Sequence, residues 1–306
     1  MHFDIVIAGG GPAGLSAALA LGRARKRVLV CDAGGRRNAA AEHVHNFVTR
    51  DGITPAAFRA VGREQLGAYP QVVIRDEAVQ AIRGERGAFE VRLSGQTVTA
   101  RRVLLCTGLI DEMLQVPGFR ELWGRSIFQC PYCHGWELRD LRWAYLATSV
   151  EPLQHFPGVL RGWTRHVTVL TDGKLEVPQA LRERFHATGV QLETRPILQL
   201  VAADGRLRHI ELAGGEPLAC DALFAHPPQQ QVPFVRELGL ALDAYGSVQA
   251  DPMTRETSIP GIYAAGDLAT RMQAAVFAAA AGMQAAAALN HELSAELAAD
   301  EVAAGG

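Results

Sequence analysis

FDIVIAGGGPAG, residues 3–14, is the stretch that decides the fold. Phe3–Ala8 is an apolar run that reads as a buried strand, glycines interrupt it, and a helical pattern follows in LSAALALGRA, residues 15–24. Residues 27–32, RVLVCD, form a second apolar strand ending in an acid. Strand, tight turn, helix, strand and terminal carboxylate in that order predict a βαβ unit that takes a dinucleotide. Gly9 allows the sharp turn, Gly11 lets a diphosphate approach the backbone, and Gly14 lets helix and strand pack closely. Pro12 and Ala13 open the helix, whose unpaired N–H groups face the phosphates. Asp32 lies where a carboxylate accepts hydrogen bonds from an adenosine ribose. This unit alone leaves NAD and FAD both open.

Further along, VTARRVLLCTG (98–108) is an apolar strand that ends at Thr107-Gly108. TSIPGIYAAGD (257–267) gives a short strand, Gly261 to Ala265, terminating in Gly266-Asp267 before an alanine-rich helix. Such a strand end presents backbone N–H groups and one carboxylate to a second part of the same ligand, so the two ends of the chain are expected to build one site. Between them, WAYLAT, HVTVLTDG, VQLETR, a hairpin through RLRHIELAGG, and ALFAHPP read as the strands of a second unit. The expected fold class is α/β, with two Rossmann-like, three-layer ββα dinucleotide-binding-type domains. Residues 1–114 and 239–306 would form the first, and 115–238 the second, inserted into it.

A chain of 306 residues is long for one core, which agrees with two domains. Its 30 Lys+Arg against 32 Asp+Glu argue against a nucleic-acid partner held by a broad basic surface. Ala274–Leu289 is mostly alanine, contains Gly282 and Gln284, and falls short of a membrane span; it reads as a buried helix. The tail AADEVAAGG is expected to fray. The N-terminus enters a strand directly, without a basic leader region, so a cytoplasmic location is expected.

Of the five cysteines, Cys31, Cys106 and Cys220 lie on or beside apolar runs, where thiols are inert small hydrophobes. Cys130 and Cys133 stand apart in CPYCHGWE, residues 130–137. A Cys-x-x-Cys pair at a helix start forms a disulfide with little strain, and the helix dipole acidifies the exposed thiol. Zinc would need a second pair of soft ligands, which the sequence does not supply. His134 is a candidate base because imidazole titrates near neutrality. His43 and His45 could line the substrate pocket, and Tyr132 and Trp136 could wall it.

On these residues the chain resembles the low-molecular-weight thioredoxin reductase family of flavoproteins. GGGPAG with Asp32, LLCTG, CPYC at the start of the inserted domain, and GIYAAGD followed by RMQAAVFAAAAGMQAA occur in family order across nearly the whole length. The resemblance implies FAD as the first dinucleotide, with Gly9, Gly11, Pro12, Ala13, Gly14 and Asp32 on its ADP half. Thr107, Gly108, Gly266 and Asp267 would lie along the rest of it, and Gln273, Ala274 and Asn46 near the flavin. It also implies that Cys133 faces the flavin and forms the charge-transfer thiolate, that Cys130 is the exchange cysteine, and that the protein is a homodimer.

Two departures redirect the reading. Where the reductases carry a glycine-rich turn for NADPH, this chain has ATSVEP, residues 147–152, followed later by TDGK with Asp172 where positive charge is wanted. Phosphates pressed against Cβ-bearing residues lose close backbone contact, and an acid repels them. In place of the aspartate that follows the second cysteine stands His134. CPYCHGWE, together with GRRNAAAEHVHNFVTRDG upstream, resembles the branch that oxidises small-molecule dithiols, as in gliotoxin and holomycin biosynthesis. The implied activity is dithiol oxidation with dioxygen as acceptor. The competing expectation is a thioredoxin reductase fed by NADPH through a degenerate site or by ferredoxin, with a thioredoxin-like protein as partner. A flavin-bound redox sensor that turns over once ranks last.

Overall fold

The computed structural model describes residues 1–35 and 37–305, with side chains through residue 299. The chain forms two compact units. Met1–Ala39, Phe47–Asp111 and the chain from Gln229 onward make the first, while Ala40–Asn46 and Glu112–Pro228 make the second. The second unit is inserted into the first, and the architecture is α/β. Its edges fall at 111/112 and 228/229, about three and about ten residues ahead of the expected 114/115 and 238/239, and the short segment Ala40–Asn46 joins it from upstream.

The first unit begins with β1 (His2–Ala8), α1 (Pro12–Arg23) and β2 (Val28–Cys31). There follow α2 (Pro55–Leu66), β3 (Val72–Arg75), β4 (Ala81–Arg83), β5 (Phe89–Arg92), β6 (Thr97–Leu105) and β7 (Ile110–Asp111). The strands lie in the order β3-β2-β1-β6-β5-β4. β1, β2, β3 and β6 run parallel, and β4 and β5 add antiparallel at the edge. β1 is apolar at successive positions because both faces of the sheet are covered. Ile5 and Ile7 pack with Ala17, Leu21 and Leu289 on one side, whereas Phe3 and Val6 pack with Phe89, Val91 and Ile262 on the other. Each such fully buried side chain contributes about 1.5–3 kcal/mol. α2 starts where Thr54 accepts from the Ala57 N–H at 3.1 Å and Pro55 takes the first helical position.

The inserted unit contains α3 (Phe119–Leu122), β8 (Ile127–Phe128), α4 (Pro131–His134), β9 (Trp143–Leu146), α5 (Phe156–Leu160), β10 (Val167–Leu170) and α6 (Gln179–Thr188). β11 (Gln191–Glu193), β12 (Ile197–Ala203), β13 (Arg206–Leu212), β14 (Leu218–Ala219) and β15 (Ala222–Ala225) complete it. Its parallel sheet runs β11-β10-β9-β15-β8, and β12-β13-β14 form a separate antiparallel sheet.

The chain then returns to the first unit. β16 (Gln229–Gln230) pairs antiparallel with β7, α7 (Pro233–Glu237) follows, and β17 (Ile262–Ala264) lies parallel on the C-terminal half of β6. α8 (Ala275–Gly305) closes the unit against α1. A Cβ on Gly282 would sit 2.1 Å from the Ala13 carbonyl oxygen, so the small residue is what lets the two helices touch. α8 continues to Gly305 through the tail expected to fray, because its alanines keep favouring helix. Among the described residues no helix is long and apolar enough to cross a membrane.

Candidate active site

The glycine turn of the first unit is fixed by contact distances. Gly9 has φ +117°, and a Cβ there would lie 2.2 Å from the Cys106 carbonyl oxygen. A Cβ on Gly14 would lie 1.9 Å from the carbonyl oxygen of Gly9. Gly11 differs from both, since a Cβ there would meet nothing within 4 Å. It sits at the N-cap of α1, where no side chain caps the helix and the first turn holds no acid. The opening therefore presents unpaired N–H groups beside free space, which fits a diphosphate-bearing cofactor.

Thr107 and Gly266 join this turn. The Thr107 nitrogen lies 3.2 Å from the Gly9 Cβ position, and a Cβ on Gly266 would approach the Ala13 Cβ at 3.1 Å. Gly108 and Gly266 both hold positive φ, at +64° and +93°. Pro12 occupies the first turn of α1. Asp32 is buried just beyond β2. Its carboxylate accepts from the Gly34 N–H at 2.9 Å and from Arg59 Nε at 2.6 Å. Arg59, on α2, went unnoticed in the sequence because it is one of two arginines on that helix and stands in no motif.

Asp267 lies in a half-buried polar network. Arg37 donates in bidentate fashion to Asp111 at 2.7 and 2.9 Å, and its Nη1 reaches Asp267 at 3.2 Å and Gln273 Oε1 at 2.5 Å. Gln229 donates to Asp111 at 2.8 Å, and Gln273 donates back to Gln229 at 2.8 Å. Burial pushes the Asp267 carboxyl above its ordinary range, and Arg37 draws it back. Ala274 accepts from the Ala278 N–H at 2.9 Å as α8 begins. Arg37, Asp111 and Gln229 were missed in the sequence. Partners 74 and 230 positions apart leave no local signature.

In the inserted unit Cys130 and Cys133 are thiols carried at α4. Cys130 is its N-cap and Pro131 its first residue. The hydrogen bond from Cys133 pulls the Cys130 thiol down to about 7; the backbone N–H groups of Cys133 and Tyr132 assist, and burial opposes. Cys130 accepts these hydrogen bonds at the start of the helical turn. Cys31 and Cys220 are held up at about 12 by burial, and burial raises Cys106 as well, so these thiols stay inert.

His134 does not titrate near neutrality as expected. Its ring packs on Phe128 at 4.3 Å, and burial, then His45 and His43, push it down to about 4. It is a neutral imidazole at pH 7. His43 and His45 are near neighbours, with ring centroids 5.9 Å apart, and His45 Nε2 stands 3.6 Å from a Glu137 carboxylate oxygen. Asn46, in a left-handed conformation at φ +61°, donates to the Tyr132 carbonyl inside the CPYC turn at 2.5 Å. Tyr132 and Trp136 are each 67 % exposed, with Tyr132 edge-on to Trp163 and Arg139 stacked 4.1 Å from the Trp136 ring centre. Among the described residues no group of His, Cys, Asp or Glu is arranged to hold a metal ion.

The turn after β9 differs from the one after β1. Ala147 is buried, and the chain continues into a 3-10 turn over Glu151–Gln154 that contains Pro152, then into the five-residue α5. Tyr145 packs on Phe156 at 4.7 Å, and Phe156 on His226 at 5.2 Å. Asp172, after β10, accepts from the Ile197 N–H at 2.6 Å and pairs with Lys174 at 2.6 Å, neutralising the local cation.

A glycine cradle, a second parallel-sheet unit and a Cys-x-x-Cys turn agree with the comparisons to known proteins. Residues 3–282 match the family described as pyridine nucleotide-disulphide oxidoreductase. The chain belongs to that family. It is an oxidoreductase of the thioredoxin reductase type, 33 % identical over 318 residues to "Thioredoxin reductase sirT" of Leptosphaeria maculans, covering 97 % of this chain and 96 % of the relative. "Thioredoxin reductase aclD" of Aspergillus oryzae is 33 % identical over 299 residues, covering 93 % and 94 %. Among solved structures, HlmI superposes with a TM-score of 0.91 at 36 % identity, covering 99 % of this chain and 96 % of that one. An oxidoreductase from Agrobacterium tumefaciens superposes at 0.90 with 36 % identity, covering 96 % and 99 %.

Proposed function

We propose that this member of the family is an FAD-dependent thiol-disulfide oxidoreductase that oxidises a small-molecule dithiol, with dioxygen as the final acceptor. The observation that carries the reading is the contrast between an open glycine turn in the first unit and a turn of side chains after β9. FAD suits the first unit, where Gly9, Gly11, Pro12, Ala13, Gly14, Asp32, Thr107, Gly108, Gly266 and Asp267 would line its length, with Gln273 and Ala274 toward its ring end. When bound, the flavin supplies the two-electron acceptor that returns the cysteine pair to its disulfide and passes the electrons to dioxygen.

The chain's own residues perform the exchange. A substrate thiolate attacks Cys130 Sγ of the enzyme disulfide, forming a mixed disulfide and releasing Cys133. The second substrate thiol then attacks the substrate sulfur bound to Cys130 and expels Cys130. An acidic leaving thiol departs faster, and the Cys130 thiol is drawn down to about 7. His134, neutral and packed on Phe128, can accept a hydrogen bond beside the pair without adding charge.

Homodimerisation is supported by the row of exposed apolar residues Val276, Phe277 and Met283 on α8. Cytoplasmic residence suits buried thiols that remain unpaired. A second reading, reduction of a thioredoxin-like protein with electrons from NADPH or ferredoxin, is favoured by the names of the fungal relatives.

Purified protein mixed with dithiothreitol in air should consume oxygen and form hydrogen peroxide, and no uptake would sink the oxidase reading. Anaerobic NADPH should leave the flavin absorbance unchanged. Rapid bleaching would move the assignment to the second reading.

A further inference from the structure

We propose that His45, paired with Glu137, is the proton store of the dithiol exchange, a positioning role supplied to the CPYC turn by the upstream segment Ala40–Asn46. The inference deepens the proposed function and rests on it for the identity of the reaction. Its basis is placement. The segment precedes the inserted unit in sequence yet belongs to it in space. Asn46 fastens it to the Tyr132 carbonyl at 2.5 Å, between the two cysteines, and His45 reaches Glu137 at 3.6 Å, just past α4. His45 is thereby held alongside the short helix that carries both sulfurs.

Proton accounting requires such a group. Oxidising a dithiol releases two electrons and two protons. The electrons break the Cys130–Cys133 bond, one proton ends on the Cys133 thiol, and Cys130 remains a thiolate. One proton is left over. Received by His45, it gives an imidazolium facing the Glu137 carboxylate, so the products, an internal disulfide plus thiol, thiolate and imidazolium, carry the same net charge as the reactants. His134 cannot store this proton near neutrality, since burial and its histidine neighbours hold it at about 4. The charged and titratable groups around His45 are Glu137, His43 and His134, and on its own segment Glu42, which pairs with Arg206 at 3.7 Å.

The test is anaerobic exchange between the disulfide form of the holoenzyme and dithiothreitol, quenched, alkylated and read by the mass of the peptide carrying Cys130 and Cys133. Wild type, His45→Gln and Glu137→Gln are compared from about pH 6 to about pH 9, spanning imidazole titration. His45→Gln should slow exchange on the order of 10²-fold near neutrality, with the deficit shrinking as pH rises and partly repaired by added imidazole. Glu137→Gln should keep the fold and slow exchange in the same pH range by a smaller factor than His45→Gln. A His45→Gln profile that matches wild type, or a deficit equal at every pH and unmoved by imidazole, would overturn the proposal. Oxygen uptake by the same preparations separates the two ideas. A wild-type exchange limb that depends on His45, without oxygen uptake, removes the oxidase reading and leaves the pair, whereas uptake with no such limb removes the pair alone.

Discussion

The turn after β1 and the turn after β9 occupy the same place in two parallel sheets and have opposite surfaces. The first bends through Gly9 at φ +117°, leaves open space at Gly11, and feeds a twelve-residue helix with an uncapped end. The second runs Ala-Thr-Ser-Val-Glu-Pro into a 3-10 turn and a helix of five residues, with aromatic rings packed alongside. Strand order alone therefore does not make a phosphate site. What makes one is a backbone stripped of Cβ atoms at the few points where a ligand or a neighbouring strand must come close, and a helix long enough to direct its N–H groups outward. The second unit lacks that surface and carries the Cys130 and Cys133 pair instead.

The harshest way to break the contrast is Gly9→Val. A branched side chain at positive φ, driven into the Cys106 carbonyl, should cost beyond about 5 kcal/mol and leave no folded, flavin-bearing protein in soluble extracts. Next in size, Arg37→Ala strips Asp111 and Asp267 of their shared cation. Urea unfolding should show a loss of about 3 kcal/mol, the cost of stripping half-buried carboxylates of their charged hydrogen bonds.

A third measurement probes the inserted unit through acid. An unfolded imidazole takes its proton near pH 6.5, and folded His134 takes it only near 4. Between those values the unfolded chain binds more protons, so stability falls as the pH is lowered, by on the order of 3 kcal/mol across the window. His134→Gln should flatten that acid slope in denaturant titrations at successive pH values. The smallest effect belongs to the turn after β9. Ser149→Gly with Pro152→Gly should shift the melting transition by the equivalent of about 1 kcal/mol and still produce no flavin bleaching with NADPH, because the short α5 and the rings beside it remain.

The features legible in the sequence are those whose physics is local. A glycine that must turn sharply and an apolar strand covered on both faces depend on near neighbours in the chain, so FDIVIAGGGPAG placed β1, its turn and α1 correctly. The Cys-x-x-Cys spacing likewise marked Cys130 and Cys133. Features that depend on distant partners were illegible. Nothing about Arg37 announces two carboxylates waiting at Asp111 and Asp267. His134 was expected to titrate near neutrality because adjacency to a cysteine says nothing of Phe128 or of histidines some ninety positions upstream; tertiary burial set its pKa instead. Asn46 was read as a flavin contact, and its bond to the Tyr132 carbonyl could not have been read from HVHNF alone.

The strap Ala40–Asn46 has a practical meaning for anyone cutting or grafting this enzyme. A fragment excised as residues 112–228 would leave behind the amide that secures the Tyr132 carbonyl and the imidazole that faces Glu137. The CPYC turn is not a cassette. Moved into another scaffold, it would need HVHN to travel with it.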